Sequence, residues 1–378
     1  MNFLSIFSLV LLGYLTVSLL WWMPVSRTKK AFLFLFFLLV SQKFTFYQLF
    51  GTGPFNPSLP SLPMMIGEGL YNIFLVLLCL LVLKDLGWWG NRFLRKVGIN
   101  VAWPLSSLQL KILLMLSAVV AGPWGVYSAL KVPDVKTVEV HLHGLDEPFD
   151  GYRIVQLTDL HIGQLLKRPW LEAVVEKVNR LDADLIVLTG DMIEGDVRKL
   201  ANEVVPYAWL SAKDGVLAVN GNHEHYHGAL NWVNQFETMG IDMLQNRHRV
   251  IQRGHSKLVV AGLSDRAALR FGQQGPDVKS ALSDVPKAPV ILLSHQPKGI
   301  EAITGVDLQL SGHTHGGLIA IIKPLVALFN GGYVNGLYRV NGRTQVYVSP
   351  GTGLWTGMSC RVGVASEITQ IVLRVSHR

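Results

Sequence analysis

Long apolar stretches occupy roughly the first third of the chain and constrain its fold more than any other feature of the sequence. A membrane-spanning helix needs about 20 mostly apolar residues to cross roughly 30 Å of hydrocarbon. The stretches that qualify are Phe3 to Met23, Ala31 to Phe50, Leu70 to Leu83 with its flanks, and Ile112 to Leu130. A cleaved signal peptide is the alternative for the first stretch, but no basic leader precedes it and further apolar segments follow. Residues 1–134 are therefore predicted to form an all-α transmembrane bundle of about four helices.

The positions of basic residues favour one orientation of these helices. Lys and Arg flank the predicted helices in the loops between the first and second stretches and between the third and fourth: Arg27, Lys29, Lys30, Arg92, Arg95 and Lys96. The Pro- and Gly-rich loop from Gly51 to Gly67 has neither Lys nor Arg. Cytoplasmic loops carry the excess of Lys and Arg, so an even number of spans places both termini outside the cytoplasm. We predict a multi-pass protein of the inner or plasma membrane with residues 135–378 outside the cytoplasm.

Charge is divided unevenly along the chain. Residues 1–134 hold ten Lys and Arg against three Asp and Glu, whereas residues 135–378 hold 24 against 23. The net charge of +8 thus comes almost entirely from the apolar part. The charge does not favour a nucleic-acid partner, because the remainder of the chain is close to neutral. The two cysteines, Cys79 and Cys360, exclude a disulfide framework and a Cys-rich zinc site.

From Tyr152 onward the pattern changes to short apolar runs that end in polar clusters, which predicts buried strands. The runs are Tyr152 to Leu157, Leu185 to Leu188, Val216 to Val219, Leu258 to Val260, Val290 to Leu293 and Leu308 to Leu310. Helices are predicted over Arg168 to Leu181 and Arg198 to Leu210, so residues 135–378 are predicted to be an α/β domain. The tail is predicted to be a strand meander made of Leu337 to Val340, Gln345 to Val348 and Glu367 to Val375.

Five short polar blocks follow these runs. They are Thr158-Asp159-Leu160-His161, Gly190-Asp191, Gly221-Asn222-His223-Glu224, Ser294-His295 and Gly312-His313-Thr314-His315. Ligands collect beyond the carboxyl ends of strands in such sheets, and each block lies at that end of its run. Carboxylate, amide and imidazole side chains suit Mn, Fe or Zn better than the all-oxygen shells of Ca or Mg. A carboxylate can also bridge two ions, and Asp191 is the candidate for that bridge.

The ordered set of blocks resembles the pattern of the calcineurin-like metallophosphoesterases, D-x-H, GD, GNH[DE], H and GHxH. The segment from Val348 to Arg361 is similar to the glycine-rich ending of the membrane-associated YkuE/YaeI-like branch, although Ala365-Ser366-Glu367-Ile368 stands where Pro-Glu-Ile is expected. The resemblance covers residues 135–378 and implies a β-sandwich flanked by helices. It does not extend to the N-terminal apolar segments.

The resemblance also implies a ligand set for two divalent ions. The first ion is expected to be bound by Asp159, His161, Asp191 and His315, and the second by Asp191, Asn222, His295 and His313. A hydroxide that bridges the ions is expected to attack phosphorus. His223 is the candidate catalytic residue, because the matching family histidine contacts the phosphate or protonates the leaving oxygen. Glu224 is expected either to orient His223 or to face solvent.

These features predict a membrane-anchored phosphoesterase that hydrolyses phosphodiester or pyrophosphate bonds. A lipid-linked substrate fits an enzyme held at the bilayer, and the sequence indicates no protein partner. One alternative is a nucleotide or nucleic-acid phosphodiesterase, which would show a salt-steep affinity for DNA. Another is a catalytically inactive membrane receptor or scaffold, although such proteins usually lose metal ligands and none is missing here.

Overall fold

The computed structural model describes residues 3–51, 53, 57–99 and 107–376. It divides into two compact units. The helical unit comprises Met1–Ala129 together with Gly357–Val362, and the catalytic unit comprises Leu130–Thr356 and Gly363–Arg378. The predicted division between residues 134 and 135 remains a prediction, and the structure adds that a short C-terminal segment packs within the helical unit.

Apolar helices build the helical unit. They are α1 (Phe3–Leu15, continued by a π-helical turn over Thr16–Leu20), α2 (Arg27–Ser41), α3 (Lys43–Leu49), α4 (Ser61–Lys96) and α5 (Ser107–Leu130). Among the described residues, three helices are long and apolar enough to cross a membrane, or four if α2 and α3 form one broken span. The second predicted stretch is bent by 49° between α2 and α3, whereas the third, which looked short, lies within a 36-residue helix.

A buried ion pair holds the helical unit to its C-terminal segment. Lys43 Nζ donates to both carboxylate oxygens of Glu68 at 3.1 Å and to the carbonyl oxygen of Gly357 at 2.9 Å. Tyr47 and the backbone N–H of Ser359 also donate to Glu68, at 2.9 and 3.2 Å. Lys43 is thus a paired charge in the core of the unit, which is why it can interrupt an apolar stretch.

The catalytic unit is a sandwich of two six-stranded sheets flanked by helices. The first sheet has the order β1-β12-β2-β3-β4-β5, built from β1 (Asp134–Leu142), β2 (Arg153–Leu157), β3 (Leu185–Thr189), β4 (Val216–Val219), β5 (Asp242–Met243) and β12 (Glu367–Val375). The second has the order β10-β11-β9-β8-β7-β6, built from β6 (Arg247–Arg253), β7 (Ser256–Gly262), β8 (Val290–Leu293), β9 (Leu308–Ser311), β10 (Gly336–Arg339) and β11 (Gln345–Val348). The predicted α/β fold class, a β-sandwich preceded by apolar helices, is confirmed.

Helices lie between many of these strands along the chain. They are α6 (Arg168–Asn179), α7 (Val197–Leu200), α8 (Asn222–Tyr226), α9 (Ala229–Thr238), α10 (Val278–Ala281) and α11 (Lys323–Phe329). Aliphatic side chains of β2 and β3 alternate between an inner core, shared by the two sheets, and an outer core beneath α6 and α9. This alternation follows from the period of two along a strand. Both faces of these strands are therefore apolar, and their polar residues fall at the strand ends.

Two local predictions were wrong. The single helix expected over Arg198 to Leu210 is divided into α7 and a 3₁₀ turn at Val205–Trp209, because Pro206 cannot continue a helix. The C-terminal strands do not form a meander. The β10–β11 hairpin joins the second sheet, whereas β12 lies between β1 and β2 in the first, parallel to β1 and antiparallel to β2.

Candidate metal centre

Loops at the carboxyl ends of five strands bring the predicted site residues together. Asp159 and His161 follow β2, Asp191 follows β3, Asn222 and His223 follow β4, His295 follows β8, and His313 and His315 follow β9. Both sheets thus contribute to the site. All of these residues are buried except His313, which is half-buried.

The backbone of these loops is held in an uncommon conformation. Five of the predicted ligands have positive φ angles: Asp159 (54°), His161 (47°), Asp191 (52°), His313 (70°) and His315 (47°). Positive φ is uncommon for residues other than glycine, and such residues cluster at functional sites, where the surrounding structure compensates for the strain. The backbone conformation of these loops is therefore typical of a functional site.

Two glycines allow the loops to approach one another. A Cβ atom on Gly221 would overlap the carboxylate of Asp191, and one on Gly312 would overlap Thr158 Oγ1 and Asp159 Oδ2. Neither position could accept a side chain without displacing a predicted ligand. These glycines are thus required by the site and are not ordinary loop residues.

The side chains form two adjacent clusters. In the first, one ligand atom from each of Asp159, His161 and His315 lies within 4.8 Å of the others. The second cluster, made of Asp191, His295 and His313, meets the same limit. His161 Nε2 lies 3.8 Å from Asp191 Oδ2, so the two clusters share a border at the predicted bridging carboxylate.

Hydrogen bonds orient the ligands of the second cluster. The Nδ1 atom of His295 lies 2.8 Å from the carbonyl oxygen of Thr189, to which it donates. Its Nε2 is then left facing Asp191 Oδ2 at 3.1 Å and His313 Nδ1 at 3.2 Å. Backbone N–H groups also hold the carboxylates, since His313 N donates to Asp159 and His223 N donates to Asp191 Oδ1 at 2.8 Å.

The donor set fits divalent metal ions. Among the described residues, the buried atoms His161 Nε2 and Asn222 Oδ1 have no hydrogen-bond partner. A buried polar atom without a partner costs free energy, whereas a coordinated cation would satisfy both atoms. Imidazole nitrogens, an amide oxygen and carboxylates together match Mn, Fe or Zn.

The pKa values in the site reflect strong mutual electrostatics. Burial opposes ionisation of Asp191, but the imidazoles of His295 and His223 hold the pKa of this carboxyl well below its usual range. Burial likewise opposes a charge on His223, yet Glu194 and Asp191 raise the pKa of its ring to about 9. These carboxylates favour the protonated ring, which is the form that the predicted general-acid role of His223 requires.

Glu194 is a functional residue that sequence reasoning missed. Its carboxylate is buried, and its Oε2 atom lies 3.1 Å from His161 Nδ1 and 2.7 Å from His223 Nδ1. Its Oε1 lies 3.2 Å from His227 Nε2. Held in this way, His161 and His223 direct Nε2 toward Asp191, at 3.8 and 3.9 Å. One carboxylate thus orients a predicted ligand and the predicted acid.

Trp355 is a second residue that no sequence pattern indicated. Its ring centroid lies 4.6 Å from that of His315 and 6.0 Å from that of His161. An indole carries no motif of its own and follows the last block by forty residues. It forms an aromatic wall beside the first cluster.

Two buried carboxylates near the site have structural roles. Glu224 neither orients His223 nor faces solvent, because it is fully buried and accepts from the backbone N–H groups of Asp191, Met192 and Gly221. Asp265 caps a 3₁₀ turn and accepts hydrogen bonds from Gln296.

The fold and the site define the class of protein as a metal-dependent phosphoesterase, and comparisons with known proteins agree. The family model described as calcineurin-like phosphoesterase matches residues 152–317. A protein of Danio rerio named as a transmembrane protein with metallophosphoesterase domain is 33% identical over 317 residues, covering 81% of this chain and 72% of its own length. This chain belongs to the calcineurin-like metallophosphoesterase family.

Other relatives indicate its branch within the family. The uncharacterized metallophosphoesterase YkuE of Bacillus subtilis is 34% identical over 268 residues, covering 68% of this chain and 91% of its own length. The solved structure of a dimetal phosphatase from Danio rerio gives a TM-score of 0.37 at 13% identity, covering 54% of this chain and 88% of that chain, a similarity too low to support an inference. The apolar helices and the transmembrane relative indicate a membrane protein.

Proposed function

We propose that this protein is a membrane-anchored phosphoesterase that uses two divalent metal ions to hydrolyse phosphodiester or pyrophosphate bonds. The single observation that carries the proposal is the pair of adjacent clusters around Asp191, with the unpartnered atoms of His161 and Asn222 in their midst. Two ions held close together are suited to phosphoryl transfer, because they activate the water nucleophile and neutralise charge on the phosphoryl oxygens.

Each residue of the site has a proposed role in metal binding or catalysis. Asp159, His161, Asp191 and His315 would hold the first ion. Asp191, Asn222, His295 and His313 would hold the second. His223 would bind the phosphoryl group or donate its Nε2 proton to the leaving oxygen, since Glu194 lies against the other ring nitrogen. Trp355 would exclude water from one side of the reacting group.

The activity can be tested on the full-length protein in detergent with bis-p-nitrophenyl phosphate. Protein stripped with EDTA should be inactive, and Mn²⁺, Zn²⁺ or Fe²⁺ should restore hydrolysis, with the most effective ion identifying the preferred metal. The exposed Asp146 provides a matched control, because Asp146→Ala should leave activity unchanged. Full activity after exhaustive chelation would contradict the proposal.

We also propose that the natural substrate is lipid-linked. Anchoring by apolar helices raises the local concentration of substrates in the bilayer, whereas a soluble nucleotide would gain little from it. The near balance of charge in residues 135–378, 24 basic against 23 acidic, does not favour a polyanionic substrate. A screen with Mn²⁺-loaded protein should show higher kcat/KM for polyprenyl diphosphates and phospholipid phosphates than for nucleotides. A preference for nucleotides would replace this substrate class with the second candidate, a nucleotide phosphodiesterase.

The proposed orientation places the catalytic unit outside the cytoplasm. It rests on the clusters of Lys and Arg in two predicted loops and on an even number of spans, which requires α2 and α3 to act as one broken span. Reporter fusions after Leu130 should be active only on the extracytoplasmic side. Activity confined to the cytoplasm would show that the broken pair does not cross.

A further inference from the structure

The helical unit contains a cavity that takes no part in the metal site. It has a volume of about 590 Å³ and lies between the end of α1 with its π-helical turn, the second half of α4 and the start of α5. This volume is within the range of small-molecule binding sites, roughly 300–1,000 Å³. The polar and aromatic residues of its lining include Tyr14, Trp22, Lys84, Asp85, Trp88 and Lys111.

Most charges in this cavity are paired with one another. Asp85 Oδ2 accepts from Tyr14 at 2.7 Å and from Ser18 at 2.6 Å, and Asp85 Oδ1 lies 2.9 Å from Lys84 Nζ. Lys84 also donates to Ser18. Lys84 and Asp85 therefore compensate each other, and their polar atoms have partners.

Lys111 is the exception. Lys111 is 4% exposed, and within residues 3–51, 53, 57–99 and 107–376 the acidic group that acts on its ammonium is Asp85, which is already paired with Lys84. Lys111 lies in the first turns of α5, directly before the apolar stretch that begins at Ile112, and an ammonium held in a largely apolar lining without its own counter-charge is unfavourable. The cavity that it lines therefore lacks one negative charge.

The surroundings of the cavity attract anions of the membrane. Basic residues follow two of the three helices that line the cavity. Arg27, Lys29 and Lys30 come after α1 and its π-helical turn, and Arg92, Arg95 and Lys96 lie at the end of α4. Clusters of this kind next to membrane helices attract anionic lipid headgroups. Trp22, Trp88 and Trp89 also line the cavity and are largely exposed, as aromatic residues at the level of the headgroups are.

We propose that this cavity binds the headgroup of one anionic phospholipid, with its phosphate accepting a hydrogen bond from Lys111 Nζ. The single negative charge of a phosphodiester matches the one uncompensated ammonium. A lipid is favoured over a free phosphate because Val17 and Leu110 complete the lining, and the adjoining Ile112 and Leu113 expose apolar side chains along which acyl chains can lie. The site shares no residue with the metal centre.

The proposal can be tested by native mass spectrometry of the full-length protein in detergent with dioleoyl phosphatidylglycerol as the probe. The wild type should retain one phosphatidylglycerol at least about tenfold more tightly than phosphatidylcholine. Lys111→Met should lose at least about tenfold in affinity, and Lys111→Arg should retain binding. Lys257→Met is the matched control, because Lys257 is an exposed lysine of β7 that belongs neither to the cavity lining nor to the basic clusters, and it should bind as the wild type does.

Several results would overturn the proposal. Equal retention of phosphatidylglycerol and phosphatidylcholine by the wild type would exclude an anionic-lipid site, whether or not any variant folds. Undiminished binding by a monodisperse Lys111→Met protein would exclude the ammonium as the contact. Displacement of the lipid by millimolar inorganic phosphate would show that the cavity takes a soluble anion. Lipid retention is read without hydrolysis, so failure of this proposal is separable from failure of the phosphoesterase assignment.

Discussion

Buried charge is treated in opposite ways at two places in the molecule, the Lys43–Glu68 pair of the helical unit and the metal centre of the catalytic unit. In the helical unit, Glu68 receives hydrogen bonds from Lys43, Tyr47 and the backbone N–H of Ser359, and Lys43 in turn donates to Gly357. In the catalytic unit, Asp191 lies among imidazoles, and a buried nitrogen of His161 has no hydrogen-bond partner in the described part of the chain.

This difference separates a structural network from a functional one. A buried polar network that is fully satisfied makes the structure rigid and specifies one packing, whereas one with unpaired atoms is unstable until something binds. The backbone supports the same distinction, because positive φ angles occur at Asp159, His161 and Asp191 but at neither Lys43 nor Glu68. We infer that the ion pair holds the chain together and that the clusters hold metal.

The largest expected effect is on the catalytic side of the comparison. Asp191→Ala removes the carboxylate that borders both clusters, so metal-dependent hydrolysis of bis-p-nitrophenyl phosphate should fall at least about a thousandfold, by analogy with losing an essential charge-stabilising group. The folded structure should persist, since the backbone contacts of Glu224 to this loop remain. Steady-state kinetics with saturating Mn²⁺ measures the loss, and the Asp146→Ala protein provides the reference. Wild-type turnover by the variant would remove Asp191 from the site.

The next effect is on the structural side. Glu68→Gln leaves the Lys43 ammonium buried without its counter-charge, which should lower the free energy of unfolding by about 3–5 kcal/mol. Thermal unfolding of the purified protein in detergent measures this change. The double variant Lys43→Met/Glu68→Leu should recover most of the loss, because an apolar pair of similar size avoids the unpaired charge. If the single variant unfolds as the wild type does, the pair is not a structural element.

A smaller effect is expected from substitution of Glu194, a buried carboxylate that contacts both a predicted metal ligand, His161, and the predicted acid, His223. Glu194→Gln removes the negative charge that faces His161 and His223, so metal affinity and kcat should each fall about 10–100-fold. Isothermal titration with Mn²⁺ and steady-state kinetics measure the two quantities separately. Glu237→Gln on the exposed face of α9 is the matched control. A change in stability alone, with normal metal affinity and kcat, would make Glu194 merely structural.

The predicted ligands could be found from sequence because each belongs to a short block directly after an apolar strand. Glu194 could not, because it lies between blocks and reaches His161 and His223 only after the loop that follows β3 has folded back. Trp355 was missed for the same reason, since ring stacking leaves no periodic pattern. Site residues at strand ends can be predicted from the local sequence pattern, whereas contacts between loops depend on the path of the whole chain.

The same distinction explains which parts of the fold were predicted. Strands β4, β8 and β11 match their apolar runs, because a buried strand needs no partner to be recognised. The position of β12 between β1 and β2 was missed, since pairing is set by residues more than two hundred positions apart. The bend between α2 and α3 was also missed, and it lies beside Lys43, whose partner Glu68 is 25 positions away in the sequence.

The smallest expected effect concerns Asp184, a buried carboxylate of the catalytic unit that is paired as fully as Glu68. Burial opposes its ionisation, but the backbone N–H of Arg153 and the side chains of Arg253 and Lys213 lower the pKa of its carboxyl below 3.8. Because the folded-state pKa is the lower one, the unfolded chain binds the proton first. This stabilisation is therefore complete above about pH 5 and is lost as the pH falls through 3.8 toward the folded-state pKa.

Asp184→Asn should accordingly lower the free energy of unfolding by about 1–2 kcal/mol at pH 7, a value reduced by the partial exposure of Arg253 and Lys213. The difference between the wild type and the variant should shrink as the pH is lowered from 5 to 3.5. Urea-induced unfolding followed by tryptophan fluorescence at each pH measures it. A difference that stays constant over this range would mean that the charge on Asp184 contributes nothing, and that complete pairing does not by itself identify a stabilising carboxylate.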